Sequence, residues 1–232
     1  MKVQTKILLL LFLIVLTFIG GLVTMRILGA AKLRSIAADR AEKRNRMFDE
    51  FLSERGDNLK VIVEDSTNWD DLVRALAKND QAWATATISD HTLATYRANA
   101  IWVYRPDFTL FTSVNNRYAD NLREAPLPPE ALRALFAAQR PAHFFLRVPQ
   151  GWMEIRGGTI HPSLDRLRET KTQGYFLAGH IWIDENIRRM SLFTEYKIRI
   201  VTGEEMTAVA PSAEEEGHIR FTRDLAGWDG QR

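Results

Sequence analysis

The sequence predicts an α+β protein that an N-terminal helix holds in a membrane. Three observations predict this class. Residues 7–25 form an apolar run without a charge. A long stretch without proline follows, with apolar side chains at helical spacing. Beyond residue 100, short β-prone segments follow one another without the regular strand–helix alternation of a parallel sheet, which favours an antiparallel sheet with flanking helices.

The apolar run is long enough to cross a bilayer. At about 1.5 Å per residue, its helix spans roughly the 30 Å of the hydrocarbon core. A cleaved signal peptide is the alternative, with Gly29–Ala31 as the small-residue cleavage site, but the apolar region of a signal peptide has only about 7–15 residues. A buried core helix is the third alternative. We predict an uncleaved anchor, with residues 1–26 as cytoplasmic tip and transmembrane helix.

Charge alone does not decide the orientation of this anchor. Lys2 and Lys6 precede the run, and seven basic residues lie between Arg26 and Arg46. The positive-inside rule would therefore place the C-terminal side in the cytoplasm. The rule is weak when a long folded domain follows, because long domains translocate largely regardless of charge.

Residues 27–64 predict a long membrane-proximal helix with a polar centre at residues 38–46. Gly56 is a candidate kink. The stretch is either a linker with one core helix or the signalling stalk of a dimer, and we expect a homodimer through this helix. Its apolar residues at helical spacing are Leu33, Ile36, Met47, Phe48, Phe51, Leu52, Leu59 and Ile62.

The third segment, residues 65–232, begins with DSTNWDD. The residue types at 66–68 predict N-caps for a short helix over 69–77, and Asp70 and Asp71 fall in its first turn, where carboxylates favour the positive end of the helix dipole. Trp69 is expected to be a packing anchor. After a turn at 78–80, the pattern predicts one further helix over 81–95.

The rest of this segment predicts the sheet. A hairpin joins strands 100–104 and 109–112, and a helix over 130–140 follows. Further strands are predicted at 143–149, 152–160, 174–183 and 197–201, with a helix over 185–193 that Asp184 caps and weaker strands at 207–209 and 219–225. Asp229-Gly230 is a hairpin signal without a returning strand. We therefore expect the chain to be a fragment of a longer protein.

The sequence contains no recognisable catalytic motif, so we do not expect an enzyme. We expect no metal site and no cofactor, because the histidines are scattered and cysteine is absent. Adjacent carboxylates at 70 and 71 point in different directions on a helix. Because the net charge is only +2 and there is no basic block, we do not expect nucleic acid as a partner. A structural role is expected for His91, His143, His161, His180 and His218.

Several aromatic and polar side chains of the predicted strands are candidates for a small-molecule pocket, because small ligands are held in aromatic-lined hollows with a few polar groups. The alternative is that these rings are core. Arg156 precedes two glycines, which offer backbone freedom near a ligand but also occur at bulges. The candidates are Trp102, Tyr104, Trp152, Arg156, Tyr175 and Trp182.

Residues 65–76, 99–113 and 173–193 together resemble the extracellular sensor domains called CHASE, of the fourth type. The specific element is Trp69-Asp70-Asp71, at the end of a long membrane-proximal helix. The resemblance covers roughly residues 27–230. Residues 105–107, Arg-Pro-Asp, replace the Asp-x-Asp-Gly hairpin turn that is usual in the family.

The resemblance implies a PAS-like sensor domain outside the cell membrane of a bacterium or archaeon. This places the domain in the periplasm or exterior, against the local charge count. A second membrane helix and a cytoplasmic output part would follow: a histidine kinase, as in two-component systems, or a cyclic-di-GMP enzyme of the GGDEF/EAL kind. The expected partners are the membrane and an unknown small molecule. A membrane-anchored module that binds a periplasmic protein is the alternative.

Overall fold

A computed structural model describes residues 3–137, 141–194, 197–202 and 224–228. The chain forms two compact units, residues 1–50 and residues 51–232. Each unit is described by itself.

The first unit consists of the N-terminal part of helix α1, which begins at Val3 and ends at Thr67. Within it, Phe12–Gly29 is long and apolar enough to cross a membrane, and none of this stretch is buried in the protein. A core helix of a soluble domain would be buried. The hydroxyls of Thr17 and Thr24 donate to carbonyls of their own helix, Ile14 and Gly20, at 2.8 Å. Such internal bonding is what a hydrocarbon environment requires of polar groups.

The second unit begins with the last turns of α1 and three short helices. These are α2 (Asp70–Lys78), α3 (Gln81–Thr87) and α4 (Asp90–Tyr96). The prediction of one helix over 81–95 is wrong. The backbone of Ser89 is extended, and its N–H donates to the Thr92 hydroxyl at 3.3 Å, so that a capping interaction starts a new helix there.

The predicted caps of α2 are also wrong. The residue at its N-cap is Trp69, which offers no side-chain cap. Thr67 and Asn68 instead bond back to the carbonyl of Glu64, at 3.3 and 2.9 Å, and thereby close the C-terminal end of α1. Hydroxyl and amide side chains between two helices can bond to free backbone groups of either helix. Here they bond to the last carbonyls of the preceding helix, α1. The aspartates do lie in the first turn of α2, as predicted.

Five antiparallel strands form one sheet. They are β1 (Ala100–Tyr104), β2 (Leu110–Asn115), β3 (Ala142–Val148), β4 (Gly151–Ile160) and β5 (Gly174–Trp182), in the order β2-β1-β5-β4-β3. Helices α5 (Pro129–Ala137) and α6 (Asp184–Thr194) flank them. The predicted α+β class with a PAS-like antiparallel sheet is confirmed.

The predicted strand at 197–201 is wrong, because these residues have no regular structure and pair with none of the described strands. Alternation of apolar residues is not sufficient, since a strand also needs a neighbour for its backbone groups. A different segment bonds to the outer edge of β3, where the N–H of Phe145 donates to the carbonyl of Ala226 at 2.8 Å. The predicted strand at 207–209, most of that at 219–225 and the turn at 229–230 lie outside the described residues.

The sheet separates two hydrophobic cores, because side chains alternate along each strand. One core contains Trp102, Tyr104 and Tyr175 and packs against α5. The opposite core contains Ile101, Val103 and Phe176 of the sheet and is covered by the end of α1 and by α2–α4. The candidate site described next lies on this second side.

Candidate ligand-binding cavity

A cavity of about 370 Å³ lies where the end of α1 meets α3, α4 and β5. Its volume lies within the range of about 300–1,000 Å³ that is typical of small-molecule sites. The walls come from three separate parts of the chain. They are Ile62, Asp65, Ser66 and Trp69, then Thr87, Ile88, Thr92 and Tyr96, and finally Phe176.

Trp69 brings the DSTNWDD stretch into this wall. Its backbone is the extended N-cap of α2, so the chain turns there and the indole lies between helices. The ring is half-buried and packs edge-on against Trp83, with ring centroids 5.1 Å apart. Trp69 therefore packs against α3 and also lines the cavity.

The break between α3 and α4 forms the second wall. The Thr92 hydroxyl accepts from Ser89 and donates to the carbonyl of Thr87 at 2.9 Å. This bond fixes the turn through Ile88. The turn brings side chains of both α3 and α4 to the cavity. A continuous helix over 81–95 would not form this wall.

The cavity carries one negative charge. Of the nine described residues that line it, Asp65 alone has a charged side chain. This carboxylate is exposed and makes no hydrogen bond or ion pair with the described part of the chain. Three lining residues are aromatic, and Ser66, Thr87 and Thr92 contribute hydroxyls. The carboxylate, rings and hydroxyls of this wall are groups that can hold a small ligand.

Asp70 of the motif bonds to a distant part of the domain, whereas Asp71 pairs with Arg74 of its own helix. Asp70 accepts from the N–H and hydroxyl of Ser163, at 2.8 and 2.6 Å, and these bonds lower its pKa. Ser163 belongs to the clamp loop, which we define as residues 161–173. The N–H of His161 in this loop also donates to the carbonyl of Thr67 at 2.9 Å. The clamp loop thus ties both the end of α1 and the start of α2 to the sheet.

A buried network keeps the clamp loop in place. The ring nitrogens of His161 lie 3.1 Å from the Thr159 hydroxyl and 3.2 Å from Asp165. Burial, together with the nearby charge of Arg168, lowers the pKa of His161. The hydrogen bond from Thr170 is the main reason why the pKa of Asp165 falls to about 2. His161 is only 1% exposed, so no substrate reaches it, and its role is structural.

A second polar cluster, centred on the buried Glu154, lies on the same side of the sheet. Glu154 is 3% exposed, with Nε2 of His143 at 2.9 Å and Nε of Arg156 at 3.2 Å from its carboxylate. Burial would raise the pKa of Glu154, but these two partners hold it below its ordinary value. Gly56 of α1 packs directly on the cluster, since a Cβ there would lie 2.6 Å from the Arg156 guanidinium. The glycine at 56 allows this close approach, and a larger residue there would displace the flexible end of Arg156.

The six side chains predicted to bind a ligand do not converge. Trp102, Tyr104 and Tyr175 lie in the core on the α5 side. The Trp102 indole donates to the carbonyl of Leu122 at 3.0 Å, and the Tyr104 hydroxyl accepts from Ala125 at 2.9 Å. The other three alternate to the opposite face, and none of the six lines the cavity. Their role in ligand binding stays a prediction.

Sequence reasoning missed most of the cavity wall. It singled out Trp69 as a packing anchor, not as a lining residue, and it did not single out Asp65 or Tyr96. The available signal was the spacing Ser89-x-x-Thr92, a capping pattern inside an apparent helix. It indicates the helix break, although not the cavity that the break creates.

The end of a long helix covers one side of an antiparallel PAS-like sheet, and the same helix begins with an apolar run of membrane length. This is the arrangement of a sensory input domain of a membrane receptor. The chain belongs to the CHASE4 domain family, whose model matches residues 51–201. The predicted resemblance is thereby confirmed.

Among solved structures, the E. coli DcuS sensor domain is similar, with a TM-score of 0.43 and 11% sequence identity, over 63% of this chain and 96% of that chain. No curated protein matches the sequence significantly.

Proposed function

We propose that this domain detects an external small molecule by binding it in the cavity beside Trp69. The observation that supports this most is the make-up of the cavity. The last turns of α1 form one side of it, and the break between α3 and α4 forms the other. A ligand with different affinities for two packings of these walls would shift the balance between them. The signal would thus reach the helix that leads back along the chain to the apolar run.

The receptor proposed around this domain is a bacterial inner-membrane protein with its sensor domain in the periplasm. Residues 27–64 would join two copies into a homodimer. A small displacement of α1 would pass the signal to a cytoplasmic output part, either a histidine kinase or a cyclic-di-GMP enzyme. Small rotations and translations of helices are a known means of such switching.

A distance measurement across the cavity tests the sensing step. The chain has no native cysteine, so spin labels attach only to cysteines that are introduced. One label is placed on α1 by Lys60→Cys and one on α4 by Thr95→Cys. Both positions are exposed. In the full chain in nanodiscs, at least one compound from a panel of amines, carboxylates, amino acids and sugars should shift or narrow the label–label distance distribution.

A blocking variant provides the control. Thr87→Trp fills the cavity and should abolish the response, while Thr85→Trp on the exposed side of the same helix should preserve it. If no compound changes the distance, or if the response survives in Thr87→Trp, the proposed function fails.

A second candidate function, docking of a periplasmic protein partner, has one observation in its favour. Leu164 and Leu167 of the clamp loop are 94% and 79% exposed, although the network around His161 holds that loop in place. Exposed apolar side chains on a fixed loop suit an interface. In-cell photo-crosslinking from position 164 should then yield a defined adduct that Leu167→Ser removes and Leu192→Ser on α6 preserves.

A further inference from the structure

We infer that the cavity beside Trp69 binds an organic cation, an alkylammonium or quaternary ammonium compound. This inference rests on the proposed function, because it names the ligand class of the same cavity. Three properties of the wall support it: its charge, its aromatic side chains and its hydroxyls.

The charge of the wall favours cations over anions. Asp65 is the only charged side chain among the nine described lining residues, and its carboxylate has no partner in the described part of the chain. Lys60, on the same helix, is 3.8 Å from Glu64 and forms an ion pair with it. Asp90, in the first turn of α4, offsets the positive end of that helix dipole at the break. A ligand ammonium would neutralise Asp65.

The aromatic side chains supply the second half of a cation site. Trp69, Tyr96 and Phe176 come from three different elements and line one cavity. The electron-rich face of an aromatic ring attracts ammonium groups, and Trp is the strongest of the three. An alkylated ammonium also has apolar surface that these rings can cover. Anionic or strongly hydrated ligands would gain neither interaction.

The volume of the cavity limits the size of the ligand, and its hydroxyls add hydrogen-bonding groups. Ser66, Thr87 and Thr92 offer hydrogen-bonding oxygens around Asp65 and the rings. The cavity of about 370 Å³ has room for a compound the size of choline, with an ammonium at one end and a hydroxyl at the other. A long polyamine would extend beyond it.

Calorimetric titration of the full chain in nanodiscs tests the inference with a matched pair of compounds. Choline and 3,3-dimethyl-1-butanol have the same shape, but only choline carries the positive charge. Choline should bind saturably, and the neutral isostere should bind at least about tenfold more weakly.

Charge variants locate the site. Asp65→Asn should weaken choline binding at least about tenfold, and Asp65→Glu, which keeps the charge, should restore most of it. Asp57→Asn removes an exposed carboxylate on the same helix outside the cavity and should change nothing. Dispersion of the tryptophan indole resonances shows whether each variant is folded.

The outcomes separate this inference from the proposed function. Equal binding of the two isosteres, unchanged binding in Asp65→Asn, or no choline binding at all would overturn the cation assignment. Binding of succinate or a sugar that Thr87→Trp abolishes would overturn it too, while preserving the sensory role of the cavity. If nothing binds and the distance across the cavity never changes, the proposed function itself fails.

Discussion

Trp69 carries two roles in one side chain, since the ring packs on Trp83 and also faces the cavity. Because it is half-buried, its removal should cost less than removal of a fully buried ring. We expect Trp69→Ala to lower the free energy of unfolding by about 1.5–3 kcal/mol, and Trp102→Ala, in the core, by about 3–5 kcal/mol. Urea titration followed by circular dichroism measures both. A loss for Trp69→Ala as large as that for Trp102→Ala would contradict a half-exposed ring.

The buried imidazole of His161 should make the stability of the domain depend on pH. Its pKa is lowered in the folded state by burial, so the unfolded chain binds more protons below the ordinary histidine pKa of about 6.5. Stability should therefore fall as the pH decreases from 7 to 5, by at most about 1.4 kcal/mol per pH unit. Asp70, Asp165 and Glu154 have lowered pKa values and titrate below this window.

Two histidine variants isolate this effect. Urea midpoints at pH 7 and pH 5 should differ less in His161→Gln than in the unmodified chain. His91→Gln, at an exposed position, should keep the full difference. Equal pH dependence in all three proteins would show that His161 is not the buried group responsible.

At the scale of elements, the Thr92 hydroxyl bonds to both sides of the break between α3 and α4. Thr92→Val keeps the shape but removes the acceptor of the Ser89 N–H and the donor to Thr87. Loss of a capping interaction should cost about 0.5–2 kcal/mol of stability. Thr95→Val is the matched control, because its exposed hydroxyl bonds only to its own helix at His91. Similar urea midpoints for both variants would mean that the break does not need the Thr92 hydroxyl.

The sequence predicts the strands well, because each is an alternating or apolar run bounded by turn residues. The five strands of the sheet begin and end within two or three residues of the predicted positions, Arg105-Pro106-Asp107 marking one turn and Gly151 another. The order of strands is not predictable in this way. β1 pairs with β5, about 70 residues later, and no local signal specifies that partner.

The cavity was harder to predict than the sheet for a related reason. Its walls come from residues 62–69, 87–96 and 176, which meet only after the helices pack on the sheet. The predicted ligand-binding residues all lie on strands, which the sequence marks clearly. Alternation then sends Trp102 and Trp182 to opposite faces, so a list of strand aromatics mixes two environments.

At the scale of the whole molecule, the orientation in the membrane is the first prediction. A periplasmic domain should be accessible from outside the cell. In a chain without native cysteines, Thr85→Cys provides one exposed thiol. A membrane-impermeant maleimide should label it in intact cells with permeabilised outer membranes, before lysis of the inner membrane. Labelling only after lysis would place the domain in the cytoplasm, as the count of basic residues suggests.

The site of ligand contact is the central claim for the molecule as a whole, and the tryptophan indole resonances test it most directly. Trp69 lines the cavity, whereas the Trp102 indole is bonded to Leu122 on the other side of the sheet. In the ¹⁵N-labelled full chain in nanodiscs, Trp69→Phe identifies the first resonance and Trp102→Phe the second. Addition of choline should shift the Trp69 resonance and leave that of Trp102 in place. A shift of Trp102 without Trp69, or no shift of either, would contradict the account.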